Sequence, residues 1–269
     1  MLKFSLVEQI ALAIFLLSGI SFFLYHLILR LRIVLKGKSN FNVDELPKRI
    51  IRVFDEVILH KKVASGDRKS AGILHALVMY GFIFFGLITI NHFGMAFGLP
   101  IFSESIRHTY FLIFGAPWAI LCTIGILGLA YRRFVIKPEA LGKFSSTSAL
   151  VSVFIITLMT TYLIDELHIL TGAAEKFNWW LHSGVIGGFL FLIPQSKHMH
   201  LVLSPFNIFL RPFEVPNHGA IPIDMEASEE ELDNLLLDLS RLSKDQALDI
   251  FTCVECGRCT EVCLSLIDI

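Results

Sequence analysis

Ten histidines are spread through a chain that is 54% hydrophobic and 17% charged, and their spacing is the first feature that points to chemistry. An imidazole inside an apolar run is costly and is a functional candidate by default. His182 and His200 stand eighteen residues apart in one such run. On a continuous helix eighteen residues make five full turns, so both rings would leave one face about 27 Å apart. His75 and His92 stand seventeen residues apart in an earlier run of opposite direction, which sets His75 level with His200 and His92 level with His182. Seventeen residues leave His92 about 100° off the face of His75, and His108 or His168, at the level of His92, could take its place. His198 would project about 160° away from His182. His26 and His60 fall at interfaces, and His218 falls in a polar linker. A single intramembrane histidine is ordinarily a satisfied polar residue. Four at two matched depths on two antiparallel helices have the arrangement of axial ligands to two b-type haems, which need no Cys-x-x-Cys-His attachment.

A second constellation lies near the C-terminus. Cys253, Cys256, Cys259 and Cys263 follow the C-x2-C-x2-C-x3-C spacing of bacterial ferredoxins, while Cys122 stands alone in an apolar run. In that pattern three thiolates hold one 4Fe–4S cluster and the fourth serves a second cluster when there are two. Zinc is the structural rival, and the tight three-fold spacing favours iron and sulfur. The proline usual after the fourth cysteine is Leu264 here, and no second cysteine run follows. The expectation is an incomplete or marginal cluster site, in the membrane half of a longer protein.

The elements that must position these residues are apolar. Mean hydropathy is +0.66. The net charge of −1 argues against a nucleic-acid partner. Five runs, roughly 6–30, 71–98, 107–131, 148–170 and 179–203, are long enough to cross a hydrocarbon core, which takes about 20 helical residues. Eleven Lys and Arg lie between Arg30 and Lys69, and Arg132, Arg133, Lys137 and Lys143 follow the third run; the opposite-side segments hold only Lys3, Arg107 and Lys176. The positive-inside rule then places the N-terminus outside and the C-terminus in the cytoplasm. Residues 47–62 carry Ile50, Ile51, Phe54, Val57 and Ile58 on one face, with Lys48, Arg49, Arg52, Lys61 and Lys62 as cationic flanks. That is the pattern of a helix lying on an anionic leaflet. Residues 204–223 read as a linker, 224–242 as an acidic amphipathic helix, and Ser243 with Gln246 as a capping box opening a short helix into the cysteines. The expected fold is an all-α five-span bundle (residues 1–203), followed by linker and acidic helix (204–242) and the start of a 4Fe–4S ferredoxin-type region (243–269).

The run from His182 through Pro194, Ser196 and Lys197 to His200 resembles the fifth span of the gamma subunit of respiratory nitrate reductase. That family spaces two haem ligands eighteen residues apart with a proline between them; Lys197 stands where it has arginine. The stretch from Trp179 to Pro212 is more similar still to a branch in which this haem domain is fused to a heterodisulfide-reductase-like iron–sulfur region. The branch includes oxidoreductases passing electrons between electron-transfer flavoprotein and menaquinone. The resemblance implies His75, His92, His182 and His200 as axial ligands and Cys253, Cys256, Cys259 and Cys263 as cluster ligands. It also implies quinone as substrate, a soluble flavoprotein or iron–sulfur donor, and a bacterial or archaeal inner membrane. His75 and His92 are more widely spaced than the corresponding pair of that family. The alternative is a haem-bearing anchor subunit whose partner does the substrate chemistry. A transporter would want broken helices and charges at the membrane midplane, whereas Asp165 and Glu166 fall near a span end.

Overall fold

In hydrocarbon a backbone has no hydrogen-bond partner but itself, and the long runs of Leu, Ile, Phe and Val form helices throughout. The computed structural model describes residues 2–37, 43–64, 68–142, 144–213 and 242–257, and these contain no strand. The helices are α1 (Leu6–Val34), α2 (Leu46–Val53), α3 (Lys69–Ala96), α4 (Glu104–Tyr110), α5 (Ala116–Tyr131), α6 (Ser146–Glu166), α7 (Ala173–Leu192), α8 (His200–Leu210) and α9 (Lys244–Thr252). Among the described residues four stretches are long and apolar enough to cross a membrane: Leu6–Val34, Lys69–Ala96, Glu104–Ile136 and Ser146–Glu166. Their outward side chains are apolar, as at Ile14, Ile83, Leu112 and Val153. Within Glu104–Ile136 a π-type turn over Phe111–Gly115 joins α4 to α5. Pro117 causes it, because it donates no N–H and its ring crowds the carbonyl four residues back.

The fifth run departs from expectation. It does not form one helix from 179 to 203. α7 ends at Leu192, two short 3₁₀ turns span Ile193–Gln195 and Lys197–Met199, and α8 begins at His200. Pro194 breaks the ladder, and Ser196 is extended, its hydroxyl accepting from the His198 N–H. The five-turn relation between His182 and His200 therefore does not hold, and neither does the rotational argument against His198. α7 itself has 20 residues, with Glu175, Lys176, Asn178 and His182 in its first half.

The described chain divides into two compact units, one formed chiefly by Lys62–Phe191 with the start of α1, the other by Phe22–Lys61 and Leu192–Glu255. In the first, α3 packs along α5 and α5 along α6, with Phe111, Ala119, Cys122, Met159 and Tyr162 as one buried cluster and Leu12, Ala96 and Trp179 as another. Glycines set the closeness of these contacts. A Cβ on Gly81 would lie 3.0 Å from the Cys122 Sγ, one on Gly125 2.7 Å from the Leu74 carbonyl, and one on Gly187 2.1 Å from the Phe15 ring. Gly86 and Gly184 have open space instead.

In the second unit α2 and α9 both pack on α8. The apolar side chains of α2 (Leu46, Ile50, Ile51 and, just beyond it, Phe54) are more than half exposed, as an interfacial helix requires. Its arginines are not flanks, contrary to the charge pattern. Arg49 is 2% exposed; its Nη1 donates to the Phe209 carbonyl at 2.7 Å and the Arg211 carbonyl at 3.2 Å. Arg52 donates to the same Arg211 carbonyl and lies 3.7 Å from the Phe213 ring centroid. The unpaired carbonyls ending α8 outbid the lipid surface for these guanidinium groups.

Candidate functional site

α7 places Asn178, Trp179, His182 and Ser183 on one side, since residues four apart lie one turn above each other. Asn178, Trp179 and Ser183 are buried at 4%, 3% and 0% exposure. Facing them near the end of α3 is His92, 8% exposed. Its ring stacks on Trp179 with centroids 4.6 Å apart and meets His182 at 4.9 Å. The His92 Nε2 lies 2.9 Å from the Ser183 hydroxyl. The preceding residue anchors the helix end: Asn91 Oδ1 accepts the Ile101 and Phe102 N–H groups at 2.9 and 3.0 Å.

α6 completes the site. The Thr161 hydroxyl lies 2.7 Å from the Thr157 carbonyl, 3.2 Å from the Leu158 carbonyl, and 2.7 Å from His182 Nδ1. A carbonyl only accepts, so the single hydroxyl proton goes to the backbone and the His182 Nδ1–H donates to Thr161. That network assigns the tautomer that leaves Nε2 with a free lone pair. Asn178 Nδ2 donates to the Thr161 carbonyl at 2.9 Å. Beside the rings a cleft is lined by Asn91, Arg107, Tyr110, Tyr162, Asp165 and Glu166, with Arg107 and Glu166 paired at 3.2 Å. His182 meets His92, and no ring contact links it to His108 on α4 or to His168 beyond α6 among the described residues.

Two buried imidazoles facing each other from separate helices are a donor set that suits a haem iron. With metal–imidazole bonds of about 2 Å on both sides the ring centroids would stand about 6 Å apart. The observed 4.9 Å is closer than that. The donor types suit an iron, the spacing would have to widen to admit one, and His92 Nε2 is held by the Ser183 hydroxyl.

His75, half-buried near the start of α3, belongs to the first unit, and His200 to the second. His200 Nδ1 donates to the Lys197 carbonyl at 2.8 Å. His198 Nδ1 lies 3.2 Å from the Ser196 hydroxyl. His60, 5% exposed, donates Nδ1–H to the Val57 carbonyl at 2.7 Å, and burial pushes its pKa down.

The capping box forms as the sequence suggests: the Ser243 hydroxyl accepts the Gln246 N–H, and the Gln246 side chain accepts the Ser243 N–H. α9 is tied to α8 by Asn207 Nδ2, 2.7 Å from both Asp249 Oδ1 and Thr252 Oγ1. Lys197 pairs with Glu255 at 3.2 Å. Cys253 and Cys256 follow as exposed free thiols. The backbone between and after them turns left-handed at Glu255 (φ 52°) and Gly257 (φ 73°), curling the run. Cys259, Cys263 and the acidic helix at 224–241 lie outside the described residues. Among the described residues no three of His, Cys, Asp and Glu gather as a metal site. Thr161, Ser183 and Asn178 were not singled out by sequence; the four-residue spacings 157/161 and 178/182 were the signal available.

No family model matches the chain, and no solved structure matches it. It is 30% identical over 272 residues to the probable iron-sulfur-binding oxidoreductase FadF of Bacillus subtilis, covering 90% of this chain and 38% of that protein. It is 24% identical over 298 residues to the EtfAB:quinone oxidoreductase of Syntrophomonas wolfei, covering 93% of this chain and 40% of that protein. The chain thus spans about two-fifths of the length of the oxidoreductases it is similar to, nearly all of its own residues being aligned.

Proposed function

We propose that the chain carries electrons across the membrane through two b-type haems, between a cytoplasmic iron–sulfur or flavoprotein donor and quinone. The observation that carries this reading is the facing pair His92 and His182, buried, on different helices, with Nε2 of His182 left open. His75 and His200 would hold the second haem, and His200 has its tautomer set the same way. Cys253, Cys256, Cys259 and Cys263 would hold a 4Fe–4S cluster where the electrons enter or leave. In this reading α7 is a fifth crossing: its 20 residues reach about 30 Å, and its polar half is shielded by α3 and α6. The N-terminus is then outside and the cysteine run cytoplasmic, residues 1–203 forming the haem domain ahead of the linker and cluster regions. The similarity to the Syntrophomonas EtfAB:quinone oxidoreductase supports electron-transfer flavoprotein and quinone as partners.

A bound haem would supply one-electron chemistry; the protein's part is to fix ligand identity, burial and hydrogen bonding around it. The test is a reduced-minus-oxidised spectrum of the purified membrane-extracted chain, with haem and iron quantified, followed by addition of a quinol analogue. Two haems per chain, reducible by quinol, are expected. A colourless protein, or haem that no quinol reduces, would sink the proposal.

A further inference from the structure

Thr161 touches no reacting atom, yet together with the Leu158 carbonyl it bears on which nitrogen His182 can offer. The residue is 4% exposed on α6 and is pinned twice over. Its hydroxyl proton is committed to the Thr157 and Leu158 carbonyls, and its own carbonyl accepts from Asn178 Nδ2. A β-branched side chain in a helix has few rotamers to choose from. The one remaining function of its oxygen is to accept, and it accepts from His182 Nδ1 at 2.7 Å, the Leu158 backbone being a second hydrogen-bond partner of the same ring. Asn178 closes the loop, standing one turn before His182 on α7 while gripping the backbone of the residue that orients it.

We infer that Thr161, with Asn178 behind it, is the positioning residue that presents His182 Nε2 to a haem iron and sets the basicity of that ligand. The inference rests on the haem reading proposed above. A ligating histidine that donates its other N–H becomes the more basic ligand, and losing that acceptor typically costs about 10- to 100-fold in metal affinity. A more basic imidazole favours the ferric state, so removing the acceptor raises the midpoint potential of the haem at His182.

The test is a redox titration with electron paramagnetic resonance of the full chain carrying Thr161→Val, Thr161→Ser or Thr157→Val. Thr161→Val is expected to retain the haem more weakly, with a raised potential and altered ferric g values for one haem of the two. Thr161→Ser keeps the hydroxyl and Thr157→Val keeps the carbonyl, so both should match the unaltered chain. If Thr161→Val leaves potential and g values unchanged with haem bound, the inference fails. If Thr161→Val loses the haem outright, Thr161→Ser decides: unaltered values support the hydroxyl, and a shift or loss there as well overturns it in favour of packing. His182→Ala separates the two levels, since retention of both haems in that variant would defeat the haem reading itself.

Discussion

The polar groups bonded to His92 and His182 come from the interiors and ends of long helices, whereas over 194–213 and 242–256 the polar groups sit on turns, short helices and their caps. The first region draws on α3, α6 and α7, and its hydrogen bonds are nested: His182 to Thr161, Thr161 to Thr157, Asn178 back to Thr161. The second region is fastened by separate contacts, Lys197 to Glu255 and Asn207 to Asp249 and Thr252, each on partly exposed residues. Nested bonds on packed helices share their fate, because no helix can shift without disturbing the others. Separate bonds fail one at a time. A fixed electron-transfer centre suits the first kind of construction, and a segment that meets a partner suits the second.

The largest effect expected is loss of a whole cofactor. His182→Ala and His200→Ala should each halve the haem content measured by haemochrome assay, the two losses having different spectra. His198→Ala should retain both haems. Should His198→Ala lose one and His200→Ala none, the ligand in the turn-built region has been misassigned while the helix-built one stands.

A smaller effect tests whether the helices near the first region are interlocked. Gly125→Ala sets a Cβ 2.7 Å from the Leu74 backbone carbonyl, whereas Gly86→Ala meets nothing within 4 Å. The first should lower stability by about 1–3 kcal/mol; the second should be neutral or gain up to about 1 kcal/mol from helix propensity. Thermal melts in detergent compare them, and equal midpoints would show that the close approach of α3 and α5 is not under strain.

Ser243→Ala removes the cap of α9 and should cost about 0.5–2 kcal/mol. By hydrogen exchange the amides of α9 should open faster, with those around His182 unchanged. Acceleration in both places would erase the distinction drawn between the regions.

The smallest effect is a pH dependence. Burial holds His60 below its ordinary pKa, so the native chain keeps this ring neutral. Above about pH 6.5 neither state takes the proton and the contribution is complete; as pH falls below it the unfolded chain protonates first and stability declines. His60→Asn tolerates the left-handed backbone there (φ 51°), and should flatten the fall in melting temperature between about pH 7.5 and 5. An unchanged slope would acquit His60.

Hydropathy sufficed to find the four long apolar helices, because lipid-facing positions reveal themselves by composition alone. Side-chain grammar at a helix start was equally readable, and Ser243 with Gln246 forms the cap that the letters suggest. The break at Pro194 was not, since an apolar average does not register one missing N–H donor. Counting residues between His182 and His200 assumed a rod where the chain makes two turns. The meeting of His92 with His182 was anticipated from depth but not from angle, because helix tilt and the glycine contacts decide rotation. Arg49 was misjudged for a related reason: charge was read as seeking lipid headgroups, while the orphan carbonyls of α8 were invisible in the letters.

That arginine also bears on hydration. By occupying the Phe209 and Arg211 carbonyls, a guanidinium that is itself 2% exposed lessens the demand of α8's C-terminus for water. A helix end that asks less of solvent can close deeper than one whose carbonyls must all reach the aqueous phase. Lysine at this position would keep the charge but not the planar group whose Nε bonds the Asp44 carbonyl while Nη1 bonds the two at the end of α8, and the terminus would turn to water for what it lost.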